Sequence, residues 1–219
     1  VTCFSNCAPK SLVTFNKSRS ATPIFEDGLA ESLEASLSEL EFAEPDFIIA
    51  EDDPEGGTPL LKILVANCGD SRAVLSSAGC AVALSVDHSP KNEKEARRIR
   101  RAGLAIRDGS ISGMLSVSRS LGDFPFKMNV GRKRTHQAVV CTPEFTTWEL
   151  DEEDEFLIVA CDGLWEAMSD GSAVRFVKSK QQDGWEPARI CQSLVQHALD
   201  RGSNDNISVL LISWTNMSE

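Results

Sequence analysis

No apolar run in this chain approaches the roughly 20 residues that a membrane-spanning helix needs, and no basic segment followed by an apolar stretch opens it in the manner of a signal peptide. Both absences predict a soluble protein of the cytoplasm, the nucleus or both. Basic residues are outnumbered, 22 Lys plus Arg against 33 Asp plus Glu for a formal charge of -11, which argues against nucleic acid as a partner. Cysteine shows no organisation. The seven cysteines (Cys3, Cys7, Cys68, Cys80, Cys141, Cys161, Cys191) are odd in number, and the Cys3/Cys7 pair has no second Cys or His pair near enough to complete a tetrahedral zinc site. Reduced thiols in an intracellular protein are expected. No internal repeat is visible, and the chain opens on Val1 rather than Met, as expected of a piece cut from a longer protein.

What is present suffices for one domain: 219 residues, 42% of them apolar. Residues 1–24 have little periodicity and are expected to be an irregular N-terminal segment, with a single domain over 25–216. Leu29, Leu33, Leu37 and Leu40 are spaced as on a helix, and Glu51 to Pro59 has the composition of a loop. Leu61 to Ala66 predicts a buried strand, broken at Gly69-Asp70-Ser71 and resumed at Ala73-Val74-Leu75, then a turn and a further strand over Ala81 to Ser85, together a meander. A charged helix over Lys91 to Ala102 is ended by Gly103. Further strands are predicted at Met114 to Ser118, Ala138 to Cys141, Phe156 to Ala160 and Ile207 to Ile212. Ser169 and Asp170 can cap a short helix, and Pro187 can open another with Ile190, Leu194, Val195 and Ala198 on one face. The tally is α+β, mainly antiparallel sheets covered by helices.

The acidic balance has two readings, a solvated surface or a supply of carboxylates for hard divalent cations, and composition does not choose between them. Placement says more. Asp70 sits where the first strand breaks, Asp162 directly follows the most hydrophobic strand, and Asp205 precedes the last. If the strands ending at Asp162 and starting at Asp205 run antiparallel side by side, both carboxylates emerge at one sheet edge. Carboxylates so gathered repel each other or hold a cation between them. A single Asp beside a glycine, as Asp70 and Asp162 are, reads first as a turn former or cap when taken alone.

The surrounding residues carry a resemblance. Val65-Ala66-Asn67-Cys68-Gly69-Asp70-Ser71-Arg72-Ala73-Val74-Leu75 resembles a strand-and-turn motif of the type 2C protein phosphatases. Leu84 to Pro90 with the helix after it, Gly113 to Asp123, Glu155 to Glu166 and Gly202 to Val209 are similar to four further motifs of that family, in the family's order, within residues 60–214. The resemblance implies a sandwich of two mainly antiparallel β-sheets flanked by helices, here incomplete at its N-terminal side. It also implies hydrolysis of phosphoserine and phosphothreonine proteins by a metal-bridged water at a divalent-metal centre. Asp162 and Asp205 match the family's metal-site aspartates, binding two magnesium or manganese ions, and Asp70 and Glu166 match acidic positions of a third, weaker one. Glu166 stands where the family usually has Asp.

Several family features are not found: the Asp-Gly-His motif, the acidic motif upstream of it, the phosphate-binding Arg and the Gly-Ser-Thr-Ala strand before Leu61. The chain contains no Asp-Gly-His, and its three histidines fall in the turn before a helix (His88), in a basic loop (His136) and within a helix (His197), positions read as structural or solvated. Asp27-Gly28 lacks the His and reads as a helix start. Two alternatives follow: a phosphatase seen in part, or a pseudophosphatase, an interaction module on the same fold. The four basic residues of Lys127 to Arg134 are either a solvated loop or a docking element for substrate.

Overall fold

The computed structural model describes residues 2–4, 11–15 and 62–214. The helix expected over Glu26 to Phe42, the loop over Glu51 to Pro59 and the Asp27-Gly28 candidate lie outside the described residues.

The fold is organised around one strand. Strand β9 (Asp154–Ala160) is apolar at consecutive positions because both its faces are covered: Phe156, Ile158 and Ala160 join one core cluster, Leu157 another. It lies in the middle of a five-stranded sheet with β2 (Ser11–Phe15), β10 (Ile207–Ser213), β4 (Arg72–Ser77) and β5 (Cys80–Ala83), in the order β2-β10-β9-β4-β5. A second sheet has the order β1-β3-β8, from Thr2–Phe4, Lys62–Asn67 and Glu144–Glu149. All pairings within these sheets are antiparallel. A two-residue hairpin, β6 (Ile106–Arg107) with β7 (Ser110–Ile111), stands apart.

Helices follow from capping and periodicity. Helix α1 (Glu93–Arg101) carries Glu93 and Glu95 in its first turn and Arg98, Arg100 and Arg101 in its last, both favourable to the helix dipole. Gly103, at φ +91°, takes the left-handed turn that ends it. Helix α2 (Asp162–Trp165) is one turn long. The Ser169 hydroxyl accepts from the Ser172 N–H and caps α3 (Asp170–Gln182), which is longer than its sequence suggests. Pro187 opens α4 (Pro187–Asp200), and Ile190, Leu194, Val195 and Ala198 are buried along one face.

Two apolar layers result. Between the five-stranded sheet and α2–α4, Val74, Phe156, Ile158, Val209 and Leu211 pack with Leu164, Val174, Val177, Ile190 and Leu194. Ile63 and Val65 of β3 pack with Ala73, Leu75, Leu157 and Ile212, which joins the two sheets face to face. Each of these large side chains contributes about 1.5–3 kcal/mol by leaving water. A small third cluster, Ile99, Ile111 and Val139, seats α1.

The structure departs from the expected elements at four places. β3 does not pair with β4, so there is no three-stranded meander; the turn between them carries the chain from one sheet to the other, and of these three strands only β4 and β5 pair with each other. Residues 2–4 and 11–15, expected to be irregular, pair with β3 and β10 as edge strands. The segments predicted as strands at 114–118 and 138–141 make only single bridges, Ile111 with Leu115 and Arg119 with Val140. Apart from these bridges their backbone is held by charged side chains and by loops: Arg98 donates to the Ser118 and Ala138 carbonyls, and the Ser118 and Val139 N–H groups donate to the His88 and Phe126 carbonyls. Finally, β8 has no counterpart among the expected strands, because Glu144-Phe145-Thr146-Thr147-Trp148-Glu149 lacks an apolar run; it is the edge strand of its sheet, paired with β3.

Candidate functional site

Three strand ends meet at one edge of the five-stranded sheet. Ala160, the last residue of β9, is paired on one side with Val209 near the start of β10 and on the other with Arg72 at the start of β4. An end beside two starts is what antiparallel order requires. The residues just outside these strands therefore emerge together: Asp162 after β9, Asp205 before β10 and Asp70 before β4. The expected juxtaposition of Asp162 and Asp205 is present, and Asp70 joins it.

Local contacts set each position. Asp162 opens α2, where its Oδ1 accepts from the Gly163 N–H at 2.9 Å. Asp205 is exposed and its Oδ1 accepts from the Asn206 N–H at 2.7 Å. The α2 turn and the Asp205 loop are tied by Ser203 Oγ donating to the Gly163 carbonyl and by Cys161, whose Sγ donates to the Asn206 carbonyl and accepts from the Ser208 N–H. Gly163 is required there, since a Cβ would stand 2.4 Å from the Asn206 carbonyl oxygen. Glu166 is exposed at the C-terminal end of α2.

The electrostatics record the gathering. Burial pushes the Asp70 carboxyl above its ordinary range, with Asp162 adding to the effect and Asp87 and Glu166 contributing further. Burial likewise raises Asp162, followed by Asp205 and Asp87. Two of the acidic groups at this edge have a partner of their own. Arg72 donates from Nε and Nη2 to the two carboxylate oxygens of Asp87, at 2.9 and 2.7 Å, and from Nη1 to Asp170, with its guanidinium 5.4 Å from the centre of the Trp165 ring. Sequence reasoning missed this clamp; Arg72 in Gly-Asp-Ser-Arg was its only signal, because Asp87 and Asp170 are 15 and 98 residues away.

With Arg72 engaged elsewhere, Asp70, Asp162, Asp205 and Glu166 are a set of hard oxygen donors in which Asp162 and Glu166 repel Asp70, and Asp205 repels Asp162. That chemistry fits a hard divalent cation. The set is partial: among the described residues no three His, Cys, Asp or Glu side chains are grouped so as to hold one metal ion.

Behind the site lies a buried charged network. Glu95 of α1 is 1% exposed and accepts from Ser118 Oγ, from Arg119 Nε and Nη2, and from Arg98. These bonds hold its carboxyl down at about 2 despite the opposing effect of burial. The Gly113–Asp123 motif thus places Ser118 and Arg119 as internal braces. His136 is exposed, and His197 of α4 packs its ring against Phe176 of α3. Arg132, Lys133 and Arg134 are exposed, whereas Lys127 Nζ donates to the Ser120 carbonyl. Among the described residues no helix is long and apolar enough to cross a membrane.

The family model for Protein phosphatase 2C matches residues 16–207. The chain is 40% identical over 159 residues to "Probable protein phosphatase 2C 21" of Oryza sativa subsp. japonica, covering 72% of this chain and 46% of that protein. It is 40% identical over 154 residues to "Protein phosphatase 1B" of Bos taurus, covering 70% of this chain and 32% of that one. Among solved structures, a phosphatase from a pathogenic strain of Toxoplasma gondii superposes with a TM-score of 0.66 at 25% identity, over 99% of this chain and 66% of that chain. The chain spans less than half the length of these two curated relatives. The matched family model, the motif order and the antiparallel sandwich agree: this chain belongs to the protein phosphatase 2C family.

Proposed function

We infer that this chain carries part of the divalent-metal centre of a protein serine/threonine phosphatase, whose substrates are phosphoserine and phosphothreonine proteins. The observation that carries this reading is the delivery of Asp70, Asp162 and Asp205 to one sheet edge, where burial and mutual repulsion raise two of the three carboxyls. Asp162 and Asp205 would hold magnesium or manganese as a pair of ions, and Asp70 with Glu166 a third, weaker one. Bound there, the cations would ionise water near neutral pH and offset charge on the phosphoryl oxygens. The chain's own part is positional. Gly163 allows the α2 turn to lie against the Asp205 loop, and Arg72 withdraws Asp87 and Asp170 from the donor set. Without cations, so acidic an edge repels a phosphate group.

A second reading is favoured by the sequence's lack of Asp-Gly-His: an interaction module on the same fold, without turnover. Hydrolysis of a phosphothreonine peptide with manganese separates the two. The phosphatase reading expects turnover that is abolished by a chelator and by Asp162→Asn. Turnover indifferent to both would sink the metal mechanism, and manganese binding by calorimetry without any turnover would favour the interaction module.

A further inference from the structure

The turn that delivers Asp70 is fastened from a distant segment. After β3 the chain bends through Cys68 and Gly69, and Gly69 adopts φ +135°, a conformation open to glycine. Its backbone is held on both sides by one residue. The His88 N–H donates to the Gly69 carbonyl at 2.9 Å, and the Gly69 N–H donates to the His88 ring at Nδ1, at 3.1 Å. Asn67, also buried, donates from Nδ2 to the carbonyls of Val86 and Gly69. The His88 carbonyl in turn accepts from the Ser118 N–H, which links the turn to the Glu95–Arg119 network. His88 itself is 1% exposed.

The hydrogen bond assigns the ring's state. A nitrogen that accepts from a backbone N–H carries no proton, so the proton of the neutral ring is on Nε2. Nε2 lies 3.4 Å from Glu144 Oε2 and makes no hydrogen bond among the described residues. The charged groups around the ring are Arg119 from the segment after Ser118, Glu95 from α1 and Glu144 from β8. Burial and Arg119 favour the neutral form against the two carboxylates.

We propose that His88 is a positioning residue for the acidic site: its Nδ1 lone pair holds the Gly69 N–H and so sets the direction in which Asp70 leaves the β3 turn. The importance of Asp70 rests on the metal reading above; the positioning itself does not.

The test uses the whole chain and two amide variants. Asn places its Oδ1 near the position of Nδ1, so His88→Asn keeps an acceptor for Gly69. Gln places its oxygen near Nε2, so His88→Gln removes it. Nitrogen-detected NMR of wild-type chain at neutral pH is expected to show His88 as the neutral Nε2–H tautomer. Gly69 amide exchange is expected to be on the order of tenfold faster in His88→Gln than in wild type, with His88→Asn close to wild type. Calorimetry with manganese is expected to show weakened binding in His88→Gln and near-normal binding in His88→Asn. An Nδ1-protonated or charged His88 in wild type overturns the proposal, as does Gly69 exchange unchanged in His88→Gln. Failure of wild type to bind manganese would instead count against the metal reading, and the tautomer and the Gly69 exchange would still decide the role of His88.

Discussion

Arg119 Nη2 lies 2.8 Å from Glu95 Oε1 at a point where the two side chains are 7% and 2% exposed, so the ion pair that braces the acidic site is itself inside the protein. Removing Glu95 takes a buried carboxylate from both Arg98 and Arg119 and leaves Arg119 only Glu144 as an anionic partner. Glu95→Gln is expected to cost about 3 kcal/mol in urea unfolding at neutral pH. The sign of the pH dependence follows from the depressed carboxyl. Its folded value of about 2 lies below the ordinary 4.5 of a free Glu, so its stabilising contribution is full above 4.5 and disappears as pH falls towards 2. Wild type should lose stability through that window, and Glu95→Gln should lose less.

Gly163→Ala runs against the usual rule for helices. Alanine in a helix ordinarily gains up to about 1 kcal/mol over glycine. Here the new Cβ would meet the backbone carbonyl oxygen of Asn206 at 2.4 Å, an atom that cannot move aside as the end of a flexible side chain would. A net loss of about 2 kcal/mol is expected, read from denaturant midpoints. A more stable variant would show that the α2 turn and the Asp205 loop are not in contact.

Arg72 serves two carboxylates, so its removal should be partly repaired by removing one of them. Arg72→Met is expected to cost about 2 kcal/mol, because Asp87 and Asp170 then lack their partner beside Asp70 and Asp162. In an Asp170→Asn background the same change should cost less, with a coupling of about 1 kcal/mol in the double-mutant cycle. Strict additivity would show that the Arg72–Asp170 contact contributes nothing.

Asp162 should trade stability for binding. Its raised carboxyl gives the opposite sign to Glu95: stability without metal is greatest below the unfolded value and falls as pH rises through the higher folded one. Asp162→Asn, measured with a chelator at neutral pH, is therefore expected to raise Tm by about 1–3 °C. It should also abolish the stabilisation that manganese gives the wild type. A lower Tm in chelator would mean that repulsion among these carboxylates is negligible.

Much of the site is legible in the amino-acid sequence. Asp162 and Asp205 could be placed at one edge from two strands and an antiparallel rule, since strand ends are marked by an abrupt change from apolar to polar residues. The helix opened by Pro187 and the cap at Ser169 were legible for the same reason: each depends on a few neighbouring side chains. What lay beyond reach was pairing across distance. Nothing local in Ala73-Val74-Leu75 says that β4 joins β9 rather than β3, and nothing in Glu144 to Glu149 marks a strand whose partner is some 80 residues earlier.

Local chemistry therefore determined the family motifs, the strand ends and the acidic character of the edge, because turns, caps and hydrophobic runs are written in adjacent residues. Tertiary structure alone decided which charges are spoken for. Arg72 with Asp87 and Asp170, Glu95 with Arg119, and His88 with Gly69 are pairings between distant parts of the chain. A charge or lone pair finds such a partner only when the cores have packed and water has been excluded, and no spacing in the sequence records that.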